Sequence, residues 1–429
     1  MKLILIIASF IFGTAYCAFP NIYGKPKQFP IVGALDDPLI LTPLIRDNKL
    51  EEARTASNVN SSVFLGVESY SGYLTVDENY DSNMFFWVVQ GLHPLYGLFE
   101  EIGPFSINSN MELELRPNAW TESHSVIFID NPVGTGYSFT SDGGYAQNET
   151  KSCRVTTFFV TGESYAGKYI PAIGYTILKK NPEAELKINL QGLSIGNGLS
   201  DPENQLKYGA YLYQLGMIDA NTKELFNKNE EEVAKLIQDG QYEEAFVLFD
   251  ELLNGDLTAY PTLFKNATGY DNYFNYLYPT EPSSGGSVYD FVQRTQVRNA
   301  LHVGRTPFGI GPVEENLVND IMQSVAPWIS ELLSNYRVLL YNGQMDIIVA
   351  YTLTVNYLQN LEFDGADEYQ TATRYKWLVD NEIAGYVKQA GNLTEVLVRN
   401  AGHMVPNDQP KWARDLITRF VRNEPLYEK

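Results

Sequence analysis

Residues 158–171 read FFVTGESYAGKYIP: an apolar, β-rich run, a glycine, one serine, and at once a helix-forming segment. A chain passes from buried strand to helix in so few residues only through a tight turn of small side chains. Such a turn leaves the serine hydroxyl exposed at the end of a sheet. Gly162, Glu163, Ser164, Tyr165 and Ala166 follow the pattern of that turn, except that alanine holds the last position and Gly167 comes one place later. Taken alone, the pattern also fits an ordinary strand-to-helix corner. It acquires chemistry when the chain supplies a histidine to take the serine proton and a carboxylate to orient that histidine.

Both groups stand at strand ends. His403 in RNAGHMVPNDQP follows the apolar run EVLVRN and sits in a loop held by glycine and proline, and Asp346 in VLLYNGQMDIIV likewise follows a strand. The chain order Ser164, Asp346, His403 is the α/β-hydrolase order. SVIFID, TTFFVTG and KINLQGLSIGNG are short, β-rich and bounded by turn residues, as the buried strands of a parallel sheet are. VFLGVESYSGYLTV and NMFFWVV read as two further β-segments joined by the turn DENYDS. From about Asp201 to Pro312 the character changes, and TKELFNKNEEEVAKLIQDGQYEEAFVLFDELLNG carries apolar residues at helical spacing. The expected fold is an α/β-hydrolase with a central, mostly parallel sheet and an inserted helical cap. The expected boundaries are an N-terminal arm over 18–60 with one short helix near Leu50 to Ser57, core over 61–200, cap over 201–312 and core again over 313–429.

The opening MKLILIIASFIFGTAYCAFP has one lysine, an apolar run and small residues near Ala15 and Cys17, the marks of a secretory signal peptide over 1–17. That run is too short for a bilayer, and no later stretch is long enough, so no membrane anchor is expected. Cleavage near Cys17 would leave Cys153 as the one cysteine, so no internal disulfide could form, and a chain of 429 residues must rely on the size of its core. Sequons at Asn60, Asn148, Asn266 and Asn392 fit passage through the secretory pathway, to a lysosomal or extracellular destination. A net charge of −21 without a basic stripe argues against nucleic-acid partners. The four histidines are widely separated and make no metal cluster, so neither metal nor cofactor is expected; His93, His124 and His302 read as structural or surface groups.

GESYAGKYIP, IDNPVGTGYSF, LSIGNGLSDP, YNGQMDIIV and AGHMVPNDQP resemble the signature blocks of serine carboxypeptidases, and PLILTPLI with SYSGYLTV resembles the vitellogenic-like branch. The resemblance implies that Ser164 is nucleophile, Asp346 orienting carboxylate and His403 general base, in the release of one residue at a time from peptide or protein C-termini through an acyl-enzyme. Glu163 fits that task, because two carboxylates sit close together only when they share a proton, and a site that holds the substrate carboxylate this way works best in acid. In the family a second glutamate lies near the same place, and the spacing to Gly103 and Pro104 in GLFEEIGPF assigns that position to Glu101.

Two segments of the family pattern are missing. A tryptophan-containing strand ending in a glycine-rich loop, which supplies one oxyanion N–H, should precede GLF; the chain instead runs NMFFWVVQGLHPLYGLF, with Gln90 and Gly91 as its only remnant. The oxyanion donors are then the Tyr165 N–H and, as a substitute, the Gly91 N–H or a water. An amphipathic helix is also missing before the nucleophile strand, where NETKSCRVTTFFVTG leaves too few residues for a parallel crossover. Loss of one oxyanion donor costs about 10²–10³ in kcat. Alternative readings are therefore a catalytically impaired secreted protein on the same scaffold, or an acyltransferase with the same triad.

Overall fold

The computed structural model describes residues 5–10, 34–89, 99, 101–103, 105–145, 158–184, 187–255, 257–258, 260–280, 282, 288–310 and 312–427. Its main sheet is built from β1 (Leu5–Phe10), β2 (Ser69–Asp77), β3 (Ser82–Val89), β4 (Ser125–Ile129), β5 (Phe158–Glu163), β6 (Leu190–Gly196), β7 (Arg337–Gly343), β8 (Tyr375–Val379), β9 (Glu382–Ala390) and β10 (Leu393–Val398). In space they lie in the order β8-β9-β10-β7-β6-β5-β1-β4-β3-β2, and a short strand at Phe139–Thr140 pairs with β3. The strands from β10 across to β4 run parallel, while β8 and β9 at one margin and β2 and β3 at the other pair antiparallel. This is the mixed α/β sheet expected from the sequence, and the turn between β2 and β3 falls at Glu78–Asp81, within DENYDS.

The parallel strands β5, β6, β7 and β10 are largely buried on both faces, which is why they read as continuous apolar runs. Every residue of β5 and of β10 is buried. Alternation along β5 divides its side chains between two cores. Phe158 and Val160 pack with Ile170 and Ile177 of the helix Ala166–Lys180 and with Ile329 and Leu332 of the helix Ala326–Leu333. Phe159 faces the other way, against Leu416 and Phe420 of the C-terminal helix Pro410–Arg422. Each such leucine, isoleucine or phenylalanine contributes about 1.5–3 kcal/mol on burial, so the helices on both faces hold the central strands in place.

Between β6 and β7 the chain forms helices, among them Tyr208–Gln214, Ala220–Gln238 and Tyr242–Phe249. The Asp219 side chain starts the longest by accepting the Thr222 N–H at 2.8 Å. Their inner faces, with Leu212, Phe226, Val233 and Phe246, share a core with Ile347 and Ile348, the residues that follow Asp346. The N-terminal arm carries two helices where one was expected, Thr42–Arg46 and Leu50–Ala56. The first has no side-chain cap and begins with a proline near its N-terminus, a start that is easily missed in a proline-rich stretch.

The position of β1 is the least expected feature. Residues 5–10, read from the sequence as part of a leader, lie between β4 and β5 as a parallel strand. Leu5 is opposite both Ser125 and Phe158, and Phe10 is opposite Glu163. That is the middle of the sheet, and it is one strand wide. The strands β4 and β5, read from the sequence as neighbours, each pair with β1 instead, and their facing backbone groups find partners there.

Candidate active site

The C-terminal ends of parallel strands lie along one edge of a sheet, so the residues that follow β4, β5, β6, β7 and β10 meet there. They are Asp130, Ser164, Asn197, Asp346 and His403. Ser164 has φ +63°, the left-handed region that a non-glycine residue enters only when its surroundings impose it. The surroundings do: the Ser164 N–H donates to the Gly196 carbonyl at 3.0 Å, and the Ser164 carbonyl accepts from Gly167 N–H at 2.9 Å and Leu199 N–H at 3.1 Å. Gly167 is obligatory in this turn, because a Cβ there would stand 2.6 Å from the Leu199 nitrogen. The displaced glycine of the motif thus serves close packing between the turn and the end of β6.

His403 and Asp346 come together as the sequence predicts. Asp346 Oδ2 lies 2.8 Å from His403 Nδ1, and with a carboxylate as acceptor Nδ1 carries the proton. This leaves Nε2 as the basic nitrogen. It is buried and has no hydrogen-bond partner among the described residues, Ser164 Oγ included. Asp346 and His403 are both almost fully buried, and Ser164 is 8% exposed, so the nucleophile is the member of the three with most access to solvent.

Asn197 was not singled out by sequence reading, although it lies in LSIGNGLSDP. Its side-chain amide donates to Asp346 Oδ2 at 2.5 Å while its Oδ1 accepts from Gly343 N–H at 3.2 Å. It is fully buried with φ +41°, and ties the end of β6 to the loop that carries Asp346. A buried asparagine directly after an apolar strand was the available signal.

Glu163 and Glu101 are both buried. Burial pushes Glu163 well above the ordinary carboxylate range, the charges of Glu101, Asp346 and Asp408 push it further, and the Val405 N–H works against them. Burial and these neighbouring charges favour the neutral form of Glu163, the form that can donate to a second carboxylate. Tyr165 stands at the N-terminus of the helix Ala166–Lys180, where backbone N–H groups favour developing negative charge, and its hydroxyl donates to Asp320 Oδ2 at 3.3 Å. Gly91, His93 and Asn148 lie outside the described residues. Asn60, Asn266 and Asn392 are exposed, as sugar-bearing asparagines must be, although the Asn392 side-chain amide donates to the Leu333 carbonyl at 2.8 Å. His124 is buried, its Nδ1 3.2 Å from the Trp120 carbonyl, and desolvation lowers it to about 4, while His302 Nε2 lies 3.0 Å from the Asn58 carbonyl. Among the described residues no group of histidine, cysteine, aspartate and glutamate could hold a metal ion.

The serine carboxypeptidase family model matches residues 91–154 and 145–423. Its two segments overlap over residues 145–154. The venom serine carboxypeptidase of Apis mellifera is 48% identical over 462 positions, covering 98% of this chain and 99% of that protein. That span exceeds the 429 residues available here, so part of the venom protein has no counterpart. The vitellogenic carboxypeptidase of Aedes aegypti is 44% identical over 92% of each chain, and a human probable serine carboxypeptidase is 41% identical over 94% of this chain and 93% of its own. Among solved structures, a prohormone-processing carboxypeptidase from Saccharomyces cerevisiae superposes with a TM-score of 0.68 at 22% identity, over 86% of this chain and 96% of that one, which establishes the shared fold. With the strand order, the left-handed serine and the His403–Asp346 pair, these matches lead to one conclusion: the chain belongs to the serine carboxypeptidase family.

Proposed function

We propose that Ser164, Asp346 and His403 act as nucleophile, orienting carboxylate and general base in the release of C-terminal amino acids from peptides in an acidic compartment. The observation that carries the carboxypeptidase reading, beyond that of a general serine hydrolase, is the buried Glu163 beside the nucleophile, on which the charge of the buried Glu101 acts. Glu163 and Glu101 share a proton and together receive the substrate's terminal carboxylate, which fixes the last peptide bond over Ser164. Ser164 Oγ attacks the carbonyl carbon of that bond as its proton passes to His403 Nε2. The imidazolium then gives the proton to the departing amine, the C–N bond breaks, and an acyl-enzyme remains for water to hydrolyse by the same relay. The Tyr165 N–H donates to the oxyanion, with Gly91 as second donor.

The close relatives and the assembled His403–Asp346 pair favour turnover over an inert scaffold. An apolar leader and exposed sequons support a secretory route ending in a lysosomal or extracellular space. Among the described residues no helix is long and apolar enough to cross a membrane.

The test is release of the terminal amino acid from a blocked dipeptide with a free C-terminus near pH 5. The expected result is turnover by the wild-type chain and its loss, by about 10⁴-fold or more, in Ser164→Ala. A folded wild-type chain as silent as the variant would overturn the reading.

A further inference from the structure

The loop that carries His403 is fastened to a second segment, residues 272–276, which is also fastened to the loop that carries Asp346. The His403 N–H donates to the Phe274 carbonyl at 2.7 Å, and the Phe274 ring lies over the imidazole with centroids 5.2 Å apart. Tyr276 N–H donates to the Met345 carbonyl at 3.0 Å, and Ile347 and Ile348 N–H both donate to the Tyr273 carbonyl at 3.1 Å. One carboxylate closes this bridge. Asp408 Oδ2 accepts from the Gly402 N–H at 2.6 Å and from the Asn275 side-chain amide at 3.2 Å. It therefore grips the residue before His403 and the residue after Phe274 at once. The two strands of chain are in close contact there, since a Cβ on Gly402 would lie 2.4 Å from the Phe274 oxygen.

We infer that Asp408 is a positioning residue for the reaction: it fixes the imidazole of His403 by clamping Gly402 to Asn275, without touching the substrate. The inference rests on the role proposed above for His403. Burial holds Asp408 above the ordinary carboxylate range and the Asp346 charge adds to this, while the Gly402 and Asn275 bonds pull it back. Asp346 and Glu163 are the charged groups that face it. Two donors meet a single oxygen, so the clamp needs an acceptor at that point more than it needs a charge. An asparagine oriented with its oxygen there keeps both bonds, and alanine keeps neither.

The experiment compares Asp408→Ala and Asp408→Asn with wild type by steady-state kinetics and by the far-downfield proton resonance of the His403 Nδ1–H bonded to Asp346. Asp408→Ala is expected to lower kcat by about 10- to 100-fold with KM little changed, and to broaden or remove the resonance. Asp408→Asn is expected to restore most of both. Wild-type kcat and an unchanged resonance in Asp408→Ala would overturn the inference, as would an asparagine variant as impaired as the alanine one. Should Asp408→Ala fail to fold, Asn275→Ala removes one arm of the clamp, and an unaltered kcat and resonance there would count against it equally. The resonance does not depend on turnover. A wild-type chain that shows it yet releases no amino acid therefore refutes the peptidase reading and leaves the clamp to be judged on its own signal.

Discussion

At the scale of single residues, the site divides into groups that announce themselves and groups that act only through the fold. Ser164, Asp346 and His403 are legible because each ends an apolar run, and the order of the three restricts the architecture. Asn197 belongs to the second class, since its partners are 149 residues away along the chain and nothing local predicts the bond to Asp346. Replacing it by alanine takes a donor from a buried carboxylate, a loss of about 1–3 kcal/mol for a buried polar group. Asn197→Ala should therefore lower kcat/KM on a blocked dipeptide by roughly 5- to 150-fold if most of that loss reaches the transition state. Wild-type kcat/KM in the alanine variant would remove Asn197 from the machinery. Asp408 was equally hidden, because its motif AGHMVPNDQP directs the eye to the histidine, whereas the carboxylate's importance comes from Asn275, brought to it by tertiary packing.

At the scale of elements, the parallel strands β4 to β7 and β10 were legible as unbroken β-rich runs, and the cap helices as periodic ones. Residues 5–10 were not, for a physical reason: a run of five apolar residues and one serine satisfies the hydrophobic segment of a leader and a buried strand equally well. Only the pairing of these residues with both β4 and β5 favours the second use, and that pairing is a property of the sheet. Truncation to residues 18–429 should leave Ser125–Ile129 and Phe158–Glu163 without a neighbour on one side. Amide hydrogen exchange is expected to accelerate in both strands relative to the full chain, with a lower thermal midpoint. Equal protection in the two proteins would mean that the sheet closes without β1.

At the scale of the whole molecule, the buried carboxylates set how stability depends on pH. Burial pushes Asp130 up to about 7 against the Tyr137 N–H bond, raises Glu163 and Asp408, and raises Asp201, Asp320 and Glu230 as well. Each of these groups binds its proton more tightly folded than unfolded. Between its ordinary value and its raised one the folded state carries more protons, so stability falls as pH rises through that window. For Asp130 the window runs from 3.8 to about 7. Asp219, Asp271 and Asp380 are shifted the other way and act only below their ordinary 3.8, outside this window, whereas His124 and His302, lowered by burial, lie inside it and add stability as pH rises toward 6.5. Six raised carboxylates outnumber the two lowered histidines, so the thermal midpoint should be higher at about pH 5 than at neutral pH, and Asp130→Asn should flatten the difference. A midpoint that rises toward neutrality would show that other groups control it. The acidic surface, with a net charge of −21, acts in the same direction through self-repulsion. The place of Leu5–Phe10 in the sheet also bears on timing. The leader reading has these residues emerge first and be cut away, whereas the fold uses them after β4 and β5 exist to receive them. If cleavage occurs near Cys17, export and folding compete for the same six residues, and the yield of native protein becomes a race that the order of synthesis gives to the protease.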